Sequence, residues 1–157
     1  MRLLRAIPVL LVFVFSCTSE TLEEAPAVIS AENNVPLEQE LLKLVNDHRV
    51  GLDVNVLQFS EIAYKYANDH NEYMIAKGSL SHDNFSSRAS KIDSEETVEM
   101  VAENVAKDYI NAQDAFNGWY DSSSHRKTME GDFTHTAVSI KIAPDGKYYF
   151  TQIFYKK

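Results

Sequence analysis

A chain of 157 residues is long enough for one domain with a real hydrophobic core, and 45% hydrophobic with 11% aromatic residues marks it as globular rather than disordered. Its formal net charge of −8 argues against general nucleic-acid binding, which needs a basic face, and against attraction to anionic lipid headgroups. With a single cysteine, Cys17, no intramolecular disulfide can form.

The chain opens on a short basic start, Met1 to Arg5, followed by an apolar run from Ala6 to Phe15. A bilayer span takes about 20 apolar residues, so this run is too short to cross but fits the apolar core of a signal peptide. Val14-Phe-Ser-Cys17 resembles a bacterial lipobox. That resemblance implies cleavage before Cys17 and lipid attachment to it. The expected organisation is a lipoprotein signal peptide over residues 1–16, an acidic flexible tether over 17–35, and a folded domain over 36–157. The tether reading rests on its glutamates, Pro26 and lack of periodicity.

Pro36 suits a helical first turn, and Leu37, Leu41, Leu44, Val45 and His48 recur at helical steps until Gly51. Val54 to Phe59 is a short apolar segment, extended or irregular. Ser60 caps a second helix, Glu61 to about Lys77, with Gly78 as its stop. His70 lies in that helix's apolar stripe, where a packed, hydrogen-bonded core group is expected. Leu80 to Phe85 is turn chemistry and presents His82 on a loop. Ala89 to Glu96 is polar and expected to be mobile. Glu103 sits among apolar neighbours, with exposure to solvent as the default reading.

Asn111 caps the next helix, whose Ala112, Ala115, Phe116 and Trp119 face the core, with Gly118 a mild weakness inside it. Trp119, the only tryptophan, leads into Tyr-Asp-Ser-Ser-Ser-His125-Arg126. Ser122 and His125 would share a face on a continuous helix, which makes a candidate site or merely a helix end with solvated hydroxyls. After Gly131 the pattern alternates, with Thr136, Val138, Ile140 and Ile142 on one face. Pro144-Asp-Gly146 is a turn, and Tyr148 to Tyr155 a second strand. Helices followed by strands suggest an α+β domain with helices on an antiparallel sheet.

Six segments together are similar to one family, the CAP superfamily of cysteine-rich secretory, antigen-five and pathogenesis-related-one proteins, in its bacterial SCP-like branch. Leu44-Val-Asn-Asp-His-Arg49 resembles the branch's opening Val-Asn-x-x-Arg helix, and Ala67 and Met74 fall in a helix like its second. Ser81-His-Asp-Asn-Phe85 with Arg88 resembles its Ser-His-Asp loop. Ala102-Glu-Asn-Val105 resembles Gly-Glu-Asn-Ile, and Trp119-x-x-Ser122-x-x-His125-Arg126 its Trp-x-x-Ser-x-x-His-Arg. Tyr149 to Phe154 looks like its final tyrosine-rich strand. The resemblance covers about residues 38–155 and implies an α-β-α sandwich with a central antiparallel sheet between helical layers. Ala102 replaces the family glycine, and strain is expected there if the position needs a positive φ.

The resemblance further implies a cleft holding His82, Asn84, Arg88, Glu103, Ser122 and His125, with His82 and His125 as its imidazole pair. The second acid of the animal members falls near Ser122, so the set of two histidines and two acids is incomplete, and Asp121 would project differently. Two neutral imidazoles suit Zn²⁺ or another divalent metal, and with no certain third ligand weak binding is expected. The leading expectation is an extracytoplasmic monomer, lipid-anchored to a bacterial membrane, that binds a lipid, peptide or glycan-like ligand. One alternative is a metal-assisted or serine hydrolase of envelope or external polymers using Glu103, Ser122 and His125. Another is a structural envelope protein with a vestigial cleft.

Overall fold

The computed structural model describes residues 31–157. The signal peptide, Cys17 and most of the tether lie outside the described residues. The tether's end does not: Glu32–Asn33 forms β1, paired with the strand β4 (His135–Ile142). The domain therefore begins a few residues before Pro36, because a strand edge recruits the arriving backbone.

Helix α1 spans Val35–Gly51, with Asn34 accepting the Leu37 N–H at 3.3 Å. Its buried stripe contains Glu38 and Arg49 as well as Leu37, Leu41 and Val45. β2 (Gln58–Phe59) leads to α2 (Glu61–Lys77), capped by the Ser60 hydroxyl at 3.1 Å and closed by Gly78 at φ 72°. Only glycine adopts that left-handed turn freely.

Phe85–Glu96 forms helix α3, which corrects the expectation of a mobile segment over 89–96. Arg88 and Ile92 are buried one helical turn apart, and Ile92 packs with Ala63, Tyr66 and Ala67 of α2. A stripe of one apolar and one charged residue is too thin to register as periodicity.

β3 (Met100–Lys107), α4 (Ala112–Asp121) and α5 (Ser123–Met129) follow, then the hairpin of β4 and β5 (Tyr148–Lys156). The hairpin turns at Gly146 with φ 80°. Sheet order is β1-β4-β5-β3, with β2 also on the outer edge of β4. Every pairing is antiparallel except β2 with β4. Ala102 lies within β3 and is not among the residues with positive φ, so its replacement of glycine brings no strain.

Helices α1 and α4 pack on one sheet face with Val138, Ile140, Phe150 and Phe154, with Trp119 in that core. α2 and α3 cover the other with Ala137, Ile153 and Tyr155. The α-β-α sandwich is confirmed. With helices on both faces, β4 and β5 bury nearly every side chain rather than alternate ones.

Candidate functional site

β3 is the outer strand of its side of the sheet, and its consecutive residues Glu103 and Asn104 point to opposite faces. Glu103 points toward α2 and α3. Its side chain is 1% exposed, the reverse of the expected solvent exposure. It survives there because it is saturated with donors. Arg88 Nη2 reaches Oε1 at 2.8 Å and Oε2 at 2.7 Å, and Arg88 Nε reaches Oε2 at 2.9 Å. Arg88 in turn donates to the Asp83 carbonyl at 2.7 Å, holding the loop before α3.

His82 Nδ1 lies 2.9 Å from Glu103 Oε1, so the buried carboxylate orients an imidazole that is otherwise half exposed. His70 stands beneath, as the expected core group, with Nε2 2.8 Å from the Ser81 carbonyl and 3.6 Å from Glu103. Burial lowers its pKa, outweighing the Glu103 charge, so it is neutral and donates to the loop. Asn84 has φ 59° and begins α3 without a side-chain cap. Its contribution is the turn that aims the loop.

On the opposite face, Asn104 Nδ2 donates to the His125 carbonyl at 3.0 Å, and Trp119 Nε1 to the Val105 carbonyl at 3.2 Å. These bonds fasten α5 and α4 to β3. His125 Nδ1 is buried with no hydrogen-bond partner among the described residues. Burial lowers the His125 pKa, and the charge of a protonated His82 lowers it further. His82 thus bonds to Glu103 on one face of β3, while the backbone of His125 is tied to Asn104 on the other.

The helix breaks between them and the earlier elements. Ser122 is the cap residue between α4 and α5, extended at ψ 116°, so the helix that carries Trp119 does not continue through Ser122 to His125. Ser122 Oγ bonds Ser124 Oγ at 3.2 Å, and His125 Nδ1 has no hydrogen bond to any described residue. Asp121 is an exposed residue at the end of α4. No relay runs from Ser122 through His125 to Glu103, whose partners are His82 and Arg88.

As a metal site the arrangement fits in part. A carboxylate behind one ring nitrogen fixes the tautomer and leaves the other nitrogen for a metal, which suits His82 Nε2. Glu103 does not fit as a third ligand, because a guanidinium already occupies both oxygens. No group of three or more His, Cys, Asp or Glu among the described residues is arranged to hold a metal ion.

His70 and Asn104 are the site residues that motif reading did not assign. Asn104 was legible in principle, since neighbours in a strand face opposite ways. His70 gave no signal beyond its apolar stripe.

Residues 42–154 match the model of the cysteine-rich secretory protein family, the CAP domain. The chain belongs to this family. The Bacillus subtilis membrane protein YlbC, described as uncharacterized, is 32% identical over 124 residues, or 76% of this chain. The chain spans about a third (34%) of that relative's length. Among solved structures, an outer surface protein of Borrelia burgdorferi superposes with a TM-score of 0.73 at 19% identity, covering 81% of this chain and 98% of that one. An extracellular SCP-domain protein of Bacillus anthracis gives 0.68 at 23% identity, covering 78% and 41%. These likenesses show that the CAP fold is shared.

Proposed function

We propose that this CAP protein is an extracytoplasmic, lipid-anchored binding module whose ligand sits at the outer edge of β3, between His82 and His125. One observation carries the reading. Glu103 is spent on positioning, held by Arg88 and holding His82, while Asn104 fixes the backbone of His125. The result is one preset imidazole, His82, and a second, His125, anchored through its backbone, with Glu103 not free to act as a base, an arrangement that favours binding over turnover. His82 and His125 also form a two-histidine site for a divalent metal such as Zn²⁺, which would supply Lewis acidity toward a ligand oxygen or carboxylate. With two protein ligands the affinity is weak.

The location rests on the lipobox at Cys17, the family's secretory character and the membrane and outer-surface relatives. Mass spectrometry of the protein from its own membrane tests the anchor and any co-purifying ligand together. A lipid adduct on Cys17 that Cys17→Ser abolishes is expected. An unmodified thiol would remove the anchor from the reading.

Calorimetric zinc titration at pH 7.5 tests the site. Binding is expected in the wild type, lost in the double variant His82→Ala/His125→Ala, and weakened about tenfold or more in Glu103→Gln, which removes the carboxylate behind His82. Equal affinity in wild type and double variant would refute the pair.

A further inference from the structure

Among the described residues, the outer edge of β4 is paired at both ends and unpaired between them. β1 pairs it at Lys141 and Ile142, Asn34 N–H donates to the Ile140 carbonyl at 2.9 Å, and Glu38 Oε1 accepts the Ile140 N–H at 2.8 Å. β2 pairs it at His135 and Thr136, where Gln58 and Ser60 donate to the carbonyls of Thr134 and Thr136 at 2.9 Å. The β4–β5 register is continuous from His135↔Tyr155 to Ile142↔Tyr148. In an antiparallel ladder every second residue turns both backbone groups away from its partner strand. Val138, midway between Thr136 and Ile140, therefore points its N–H and C=O outward. No described group outside the β4–β5 ladder bonds to them.

A groove of about 500 Å³ opens at this point, with Val138 in its lining. Val35 and Leu42 come from α1, and Phe59 and Tyr64 from the β2–α2 side. Phe59 is 51% and Val35 46% exposed, so apolar surface is presented rather than packed away. The lining contains two acids, Glu38 and Glu61, and no lysine or arginine. Glu38 is buried, and its partners are neutral: Asn33 Nδ2 at 2.7 Å, the Ile140 N–H and the Tyr64 hydroxyl at 2.9 Å. Burial first, then the bond to Glu38 and the charges of Glu38 and Glu61, push the Tyr64 hydroxyl up to about 12. The groove is an apolar slot beside two carboxylates, with the unpaired edge of Val138, a residue only 3% exposed, at its floor.

We propose that this groove takes one residue of an extended basic peptide, which pairs with the backbone of Val138 while its neighbouring cationic side chains face Glu38 and Glu61. Strand addition at a sheet edge supplies the main-chain hydrogen bonds, and the groove walls supply selectivity. From Thr136 to Ile140 the edge runs about 13 Å at roughly 3.3 Å per residue, room for a bridging residue with its neighbours but not for a long strand. The chain's own upstream segment is a poor occupant. From Cys17 to Ser30 it carries Glu20, Glu23 and Glu24 and no basic residue, so like charge opposes it. The groove is on the sheet edge opposite β3, so binding here is separable from the histidine pair.

The test uses ¹⁵N-labelled full-length protein in detergent, titrated with acetyl-Lys-Val-Lys-amide and its acidic counterpart acetyl-Glu-Val-Glu-amide. A saturable downfield shift and slowed hydrogen exchange of the Val138 N–H are expected with the basic peptide. Affinity should fall about tenfold or more for the acidic peptide and for Glu61→Lys, and vanish in Leu42→Trp, which fills the slot. If Leu42→Trp misfolds, the charge reversal at exposed Glu61 still decides. Equal binding of both peptides, an unmoved Val138 N–H, a shift that follows protein concentration alone, or butylammonium binding as tightly as the peptide would each overturn the proposal.

Discussion

Glu103 shows how a buried charge becomes a positioning device. Its side chain is 1% exposed and that of Arg88 is 9%, so neither is solvated and each depends on the other. Removing one charge of such a pair leaves the other buried without compensation, at about 3–5 kcal/mol. Glu103→Gln is therefore expected to lose several kcal/mol in urea unfolding at pH 7.5. Arg88→Lys should lose much of the same amount, because an ammonium cannot make the two-pronged contact with both carboxylate oxygens. A change below about 1 kcal/mol in both variants would mean that solvent reaches the pair. The motif in the sequence brought Glu103, His82 and Arg88 together. What Glu103 does there was not legible, because a carboxylate among apolar residues reads the same whether it ligates, catalyses or pairs.

The same gap between type and context appears for elements. The boundaries of α2 follow from Ser60 and Gly78, because cap chemistry is local. α3 was not legible, since its hold on the domain is Arg88 and Ile92 meeting partners far away in sequence. Gly118 in α4 looked like a weakness, and the structure supplies its reason: a Cβ there would stand inside the Tyr109 phenol. Glycine to alanine in a helix ordinarily gains about 1 kcal/mol. Overpacking costs about 1–3 kcal/mol, so Gly118→Ala should lower the urea midpoint. A raised midpoint would show that Tyr109 moves aside freely.

Across the whole molecule, acid sensitivity follows from where the imidazoles sit. Burial lowers the pKa of His70, His125 and His135, and neighbouring positive charge adds to it at each: Arg88 and His82 beside His70, where Glu103 opposes them, His82 beside His125, and Lys157 beside His135. The unfolded chain takes up these protons near pH 6.5, where the native state still resists them. Their stabilisation is thus complete above about pH 6.5 and is lost as pH falls toward the lowered native values. The melting temperature of the metal-free protein should fall between pH 7.5 and 5, and fall less in His125→Asn. A flat or rising profile would contradict the burial of these rings as neutral groups.

By itself the sequence determined helices α1, α2 and α4, the β4–β5 hairpin, the Trp119 core anchor and the family, because periodicity, caps and motif spacing are carried by neighbours in the chain. Only the tertiary structure decided that Glu103 is buried and bonded to Arg88, that Ser122 stands outside any relay with His125, and that Asn104 ties α5 to the sheet. It also decided that, among the described residues, no strand pairs the outer edge of β4 at Val138. Each depends on which face of the sheet a residue meets and on what packs there, and that is set by strands and helices far apart in sequence.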